Sequence, residues 1–240
     1  MLILLIIIII FIIYFLRNPT EALLPYNILI ENLYEKKVFY SDKEKKIIFP
    51  VSIQLEKEWQ NIRNECLHCL QNINSSFDSN RSFDRSIGNV GKDYIIEDYN
   101  FWKGWSTYQL RMFGKDNEKN MNNCPTLKKI LKNNPDIPTA FFSIMEPGKQ
   151  LPTHYGPFKG ILRYHLGLII PKGNCFISVD GKVYDWKEGE GVLFDETYKH
   201  FVINDTNHYR VILFIDVKRP LDYPLNIIND FILYLMGIYK

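Results

Sequence analysis

The chain has few cysteines: four in 240 residues, at positions 66, 69, 124 and 175. That is too few, and too scattered, for a disulfide framework. Cys66-Leu67-His68-Cys69 has the spacing of half a zinc site or a redox pair, but no second CxxC or His pair complements it. It reads as two thiols on one helix, and Cys124 has no nearby partner along the chain. An excess of one charge is also missing. The 29 Lys and Arg are scattered among 27 Asp and Glu, and the net charge of +2 removes any electrostatic case for nucleic acid as a partner. No internal repeat is present, and the ample apolar content excludes a disordered chain.

The N-terminus lacks a basic lead-in and a good small-residue cleavage site, which argues against a cleaved signal peptide. It does have an unbroken apolar run, Met1 to Leu16, closed by Arg17. As a helix such a run spans about 24 Å, slightly short of the roughly 30 Å hydrocarbon core. The expectation is a single-pass, uncleaved N-terminal membrane anchor (1–16), of an orientation that one arginine does not set. A mixed connector (17–50) follows, then one domain (51–220), large enough to bury its own core, and an apolar C-terminal helix (221–240).

Within the domain, Ile53, Leu55, Trp59, Ile62, Cys66 and Cys69 recur at helical steps and predict one helix over 51–72. Residues 72–92, rich in Ser, Asn, Asp and Gly, predict a surface loop. From Gly104 the pattern changes. A strand is expected over 104–110 and a short helix over 126–132 after Pro125. Strands then follow at 139–145, 162–170, 175–179, 182–186, 191–194, 201–204 and 209–217. Asp180-Gly181 between two of them is a strong hairpin signal. Seven short strands at close spacing argue for a sandwich or barrel.

Two segments carry the chemistry. His154 is followed nine residues later by Arg163, and His200 ten residues later by Arg210. Imidazoles are common ligands of redox-active divalent metals, and guanidinium groups suit carboxylates. Arg210 opens a very apolar strand, where a buried cation needs an anion. Arg163 and His165 are two apart, so they share one strand face.

This constellation runs from Phe142-Ser143-Ile144-Met145-Glu146-Pro147-Gly148 to Val211-Ile212-Leu213-Phe214-Ile215-Asp216-Val217. It resembles the aspartyl/asparaginyl β-hydroxylase family, densely over 141–220 and more weakly back to Trp105. The resemblance implies a mainly β fold, a double-stranded β-helix (core about 139–218) with flanking helices. It implies a dioxygenase using Fe(II), 2-oxoglutarate and O2, with His154 and His200 as the metal ligands and catalytic centre. Gly156 stands where related oxygenases carry a carboxylate ligand, as this family permits. Trp105, Ser143, Arg163, His165 and Arg210 are implied in 2-oxoglutarate binding, Arg210 and Ser143 at the distal carboxylate, Arg163 and His165 at the metal-proximal one. The expected substrate is an Asp or Asn side chain of a protein. A lipid acyl chain is the alternative, and a non-catalytic cupin-like module a remoter one, disfavoured by the intact histidines and arginines.

Overall fold

A strand that is apolar along its whole length must be covered on both faces. Ala140–Met145 reads Ala-Phe-Phe-Ser-Ile-Met with every residue buried. Arg210–Lys218 is nearly as apolar and nearly as buried. These strands form the middle of the protein. The computed structural model describes residues 12–15, 17–73 and 104–238.

Eight strands are divided between two antiparallel sheets: β3 (Ala140–Met145), β4 (Lys149–His154), β5 (Ile161–Ile169), β6 (Cys175–Val179), β7 (Lys182–Asp185), β8 (Gly191–Phe194), β9 (His200–Asn204) and β10 (Arg210–Lys218). Together with β1 (Trp105–Met112) and β2 (Lys115–Asp116), the larger sheet has the order β2-β1-β3-β10-β5-β8, and the smaller one is β4-β9-β6-β7. Leaving aside β1 and β2 at the edge, this is jelly-roll order, the double-stranded β-helix that the sequence leads one to expect. The β6–β7 hairpin turns at Asp180 and Gly181, both at positive φ (49° and 76°), the geometry that makes Asp-Gly a favoured turn pair.

The larger sheet has two different faces. Between the sheets lie Met145, Ile177, Trp186, Val192, Phe194, Val202 and Ile212. On the outer face Tyr108, Phe142, Ile144, Tyr164, Leu166, Leu213 and Ile215 pack with residues of the helical layer such as Leu55, Ile62, Cys66, Leu127 and Leu131. That layer comprises α2 (Asp42–Ile48), α3 (Val51–Lys57), α4 (Trp59–Ile73), α5 (Glu118–Met121) and α6 (Pro125–Asn133). Before it comes α1 (Pro19–Leu33), and α7 (Leu225–Ile238) closes the chain. Phe15, Leu23, Tyr26 and Ile30 share a third cluster with Phe158, Ile161, Ile232 and Leu235.

Three expectations change. The helix expected over 51–72 is two helices, broken at Glu58 (φ −92°, ψ 9°) with no glycine or proline to announce the break, and Ile53 is exposed. The connector 17–50 holds α1 and α2, the latter started by a capping box in which Ser41 and Glu44 bond reciprocally. Strand β4, which delivers His154, was not among the expected strands. Most of the expected anchor (1–16) and of the expected loop (72–92) lies outside the described residues. Among the described residues no helix is long and apolar enough to cross a membrane.

If the larger sheet is buried on both faces, its outer face should be as costly to empty as a core. Phe142→Ala, fully buried and stacked on Tyr108 at 6.0 Å, should cost about 3–5 kcal/mol in urea unfolding. A loss below about 1 kcal/mol would mean that the helical layer does not cover this face.

Candidate active site

His154 ends β4 and His200 opens β9, and the ladder between these strands pairs them. Alternation alone would not put them together. Leu151 pairs with Val202 and His154 with His200, so β4 spends one residue more than β9 over the same span. This bulge turns His154 onto the face that His200 already occupies, a recurrent use of bulges to re-aim a side chain. The two rings lie 4.1 Å apart, centroid to centroid.

Backbone carbonyls fix the tautomers. His154 Nδ1 lies 2.8 Å from the Pro152 carbonyl and His200 Nδ1 lies 2.9 Å from that of Tyr198. A carbonyl only accepts, so each Nδ1 donates and the neutral ring keeps its lone pair on Nε2, the arrangement typical of metal-ligating histidines. Burial, then repulsion from His154, pushes His200 down to about 4, so it is neutral at ordinary pH. Two imidazoles side by side fit a borderline divalent metal. Among the described residues no group of three or more His, Cys, Asp or Glu is placed to hold a metal.

Across the interior, β10 and β5 present a side rich in cationic and polar groups. The register pairs Phe214 with His165 and Asp216 with Arg163, which places Arg210, Phe214, Asp216, Arg163 and His165 on the inner face. Leu162, Tyr164 and Leu166 point to the outer core, as the alternation requires. Arg210 is 2% exposed, among the largest fully buried side chains. Its guanidinium donates to the Ser143 hydroxyl (3.2 Å) and carbonyl (3.4 Å), approaches Met145 Sδ (3.4 Å) and lies 4.9 Å from the Trp186 ring centroid. No ion pair to Arg210 is formed among the described residues, and burial lowers it to about 10. Ser143 Oγ also accepts from Trp105 Nε1 at 2.8 Å. With both lone pairs engaged, the serine hydroxyl still has a proton to donate.

Several buried polar atoms around this interior lack hydrogen-bond partners among the described residues: both nitrogens of His165, Arg210 Nε, Arg163 Nε and Trp186 Nε1. Native proteins rarely leave such atoms bare. His165 sits edge-on to Phe194 at 4.9 Å, held neutral by burial and then by Arg210 and Arg163. A cation without a counter-ion, a hydroxyl with a spare proton and a bare neutral imidazole make a donor set for a dicarboxylate.

Arg163 behaves differently from Arg210. It pairs with Glu196, and with Asp216 at 2.8 Å, while stacking on Phe214 at 3.8 Å. Its charge is therefore already matched inside the protein. Glu196 also explains the glycine at 156, where a Cβ would stand 2.5 Å from Glu196 Cγ and 2.8 Å from Oε1. Sequence reasoning assigned no role to Glu196, Asp216, Trp186 or Met145. Asp216 alone carried a signal, as the one acid in an otherwise apolar strand.

A family profile described as Aspartyl/Asparaginyl beta-hydroxylase matches residues 56–220. The ornithine lipid ester-linked acyl 2-hydroxylase of Rhizobium tropici is 36% identical over 183 residues, covering 75% of this chain and 62% of that protein. The human aspartyl/asparaginyl beta-hydroxylase is 31% identical over 173 residues, covering 69% of this chain and 21% of that protein. The chain thus spans less than two thirds of either relative. Among solved structures, an oxidoreductase of the 2OG-Fe(II) oxygenase family from Burkholderia pseudomallei superposes with a TM-score of 0.40 at 13% identity, covering 50% of this chain and 70% of that one, too partial to support an assignment. A profile match over most of the chain, on the segment that contains both histidines and both arginines, does support one: the chain belongs to the aspartyl/asparaginyl β-hydroxylase family.

Proposed function

We propose that this protein is an iron(II)- and 2-oxoglutarate-dependent dioxygenase that hydroxylates an unactivated carbon. The observation that carries this reading is the buried Arg210, which has no carboxylate partner among the described residues and lies across the interior from two histidines whose tautomers suit a metal. In this reading His154 and His200 hold iron through Nε2. Arg210 and the Ser143 hydroxyl bind the distal carboxylate of 2-oxoglutarate, and Trp105 keeps that hydroxyl oriented. His165 donates to the metal-proximal carboxylate. Arg163, shared with Glu196 and Asp216, contributes position more than charge there. Iron, 2-oxoglutarate and oxygen together supply hydroxylation of a C–H bond with decarboxylation of the cosubstrate. The protein contributes orientation and an interior lined by Phe194, Phe214 and Trp186 that excludes water.

For the substrate we favour a lipid acyl chain over the Asp or Asn side chain first expected. Asn27 of α1 bonds Pro157 and Lys159 in the loop that follows His154. The neighbouring Leu24, Ile28 and Leu33 are exposed, as are Ile227 and Tyr234 on α7. An apolar helical surface beside the site, preceded by the run at 1–16, suits a membrane-held protein working on lipid.

Single substitutions should separate the two halves of the site. His154→Ala and His200→Ala should each weaken iron(II) binding by at least the ~10–100-fold that losing an outer-shell partner costs. Arg210→Ala should keep iron and lose 2-oxoglutarate affinity about 30-fold or more, since a carboxylate is left unpaired. Arg210→Lys should recover part of it. Unchanged metal occupancy in both histidine variants, by anaerobic iron titration, would remove the metal assignment. Gly156→Asp should not raise coupled turnover and should lower iron affinity, because the new side chain must displace Glu196. A gain in iron affinity with turnover intact would contradict this. Finally, the full chain should sediment with vesicles of an ester-linked acyl lipid and release succinate faster in their presence. Stimulation by Asp- or Asn-containing peptides instead would restore the protein-substrate reading.

A further inference from the structure

Cys124 has a partner in space that it lacks along the chain. It stands at the N-cap position of α6, and its Sγ lies 3.4 Å from Sγ of Cys69, in the last turns of α4. Both thiols are buried, at 0% and 1% exposure, and neither bears on the iron and 2-oxoglutarate reading. The helices that carry them are already fixed to one another. Glu65, one turn before Cys69, accepts the Thr126 N–H at 2.5 Å and the Leu127 N–H at 3.2 Å, capping α6 from the side. The two sulfurs thus meet because of contacts that do not involve them. A disulfide bond is about 2.0 Å long, so closure needs only a modest rotation of the two thiols.

We propose that Cys69 and Cys124 are a disulfide-forming pair that clamps α4 to α6. The step balances as thiol–disulfide exchange with a small disulfide oxidant. One thiolate attacks the oxidant and expels one reduced thiol, the second attacks the resulting mixed disulfide and expels the other, and two protons leave the protein. Cys69 is the better first nucleophile. The hydrogen bond from Cys124 lowers its pKa against the opposing effect of burial, whereas Cys66 and Cys124 are both raised. The bond would close a loop running from α4 to the start of α6 and containing β1, the strand that carries Trp105. Tyr108 on β1 already accepts from Asn123, beside Cys124. A bond at this point therefore braces the edge strand whose far end orients Ser143.

The test uses the full chain in glutathione buffers of stepped ratio, alkylated at each step, digested without reductant and mapped by mass spectrometry. A cross-link joining the Cys69 and Cys124 peptides is expected, with Cys66 and Cys175 alkylated, and the oxidised protein should melt about 5 °C or more above the reduced one. Cys69→Ser and Cys124→Ser should each abolish the cross-link and the shift, and Cys66→Ala should keep both. The wild-type map is decisive even where a variant fails to fold. Cys69 and Cys124 still alkylated at the most oxidising ratio, a stable glutathione adduct on either, or a bridge to Cys66 would each overturn the proposal.

Discussion

A guanidinium group enclosed in protein with no counter-ion is an unstable arrangement unless something else answers its charge. Arg210 is that group here, with no ion pair among the described residues. The fold surrounds it with partial compensation: the Ser143 hydroxyl and carbonyl, the Met145 sulfur and the face of Trp186. None of these carries a full negative charge, which supports the proposal that an anion arrives with the ligand. Arg163, on the neighbouring strand β5 and on the same face, shows the contrast. Glu196 and Asp216 satisfy it internally, and it can serve as scaffold.

Two features of the backbone make this possible. The central strands are covered on both faces, by the smaller sheet on one side and the helices on the other, so a polar side chain on β3, β5 or β10 is necessarily buried and must be given a purpose. The bulge in β4 supplies the second feature. Without its extra residue the strand alternation would turn His154 away from His200. The proposed metal side of the site thus depends on one irregularity in the smaller sheet, and the proposed anion side on the regularity of the larger.

The same physics decides what could be read in advance. Ser143 in Ala-Phe-Phe-Ser-Ile-Met, Arg210 before Val-Ile-Leu-Phe-Ile and the Arg163/His165 pair stand out because they interrupt apolar strands, and all of them face the interior as expected. The hairpin at Asp180-Gly181 and the C-terminal helix were equally legible from turn chemistry and apolar spacing. Strand β4 was not, since Lys-Gln-Leu-Pro-Thr-His buries one residue and carries a proline. The break at Glu58 has no breaker residue. Helix α1 was hidden by Pro25 within it and by its exposed leucines and Ile28. Tertiary partners across long separations left no trace at all: nothing along the chain links Glu196 to Gly156 or Cys69 to Cys124.

We propose that Arg210 waits for the far carboxylate of a dicarboxylate. This can be tested from the ligand's side with the wild-type protein. Anaerobic titration calorimetry on iron-loaded protein should compare 2-oxoglutarate with a 2-oxo acid of similar length that lacks the distal carboxylate. Loss of that group leaves the guanidinium buried and unpaired, so the monocarboxylate should bind about 30-fold more weakly or worse. Equal affinities for the two ligands would mean that Arg210 does not meet the cosubstrate, and the site would have to be assigned anew.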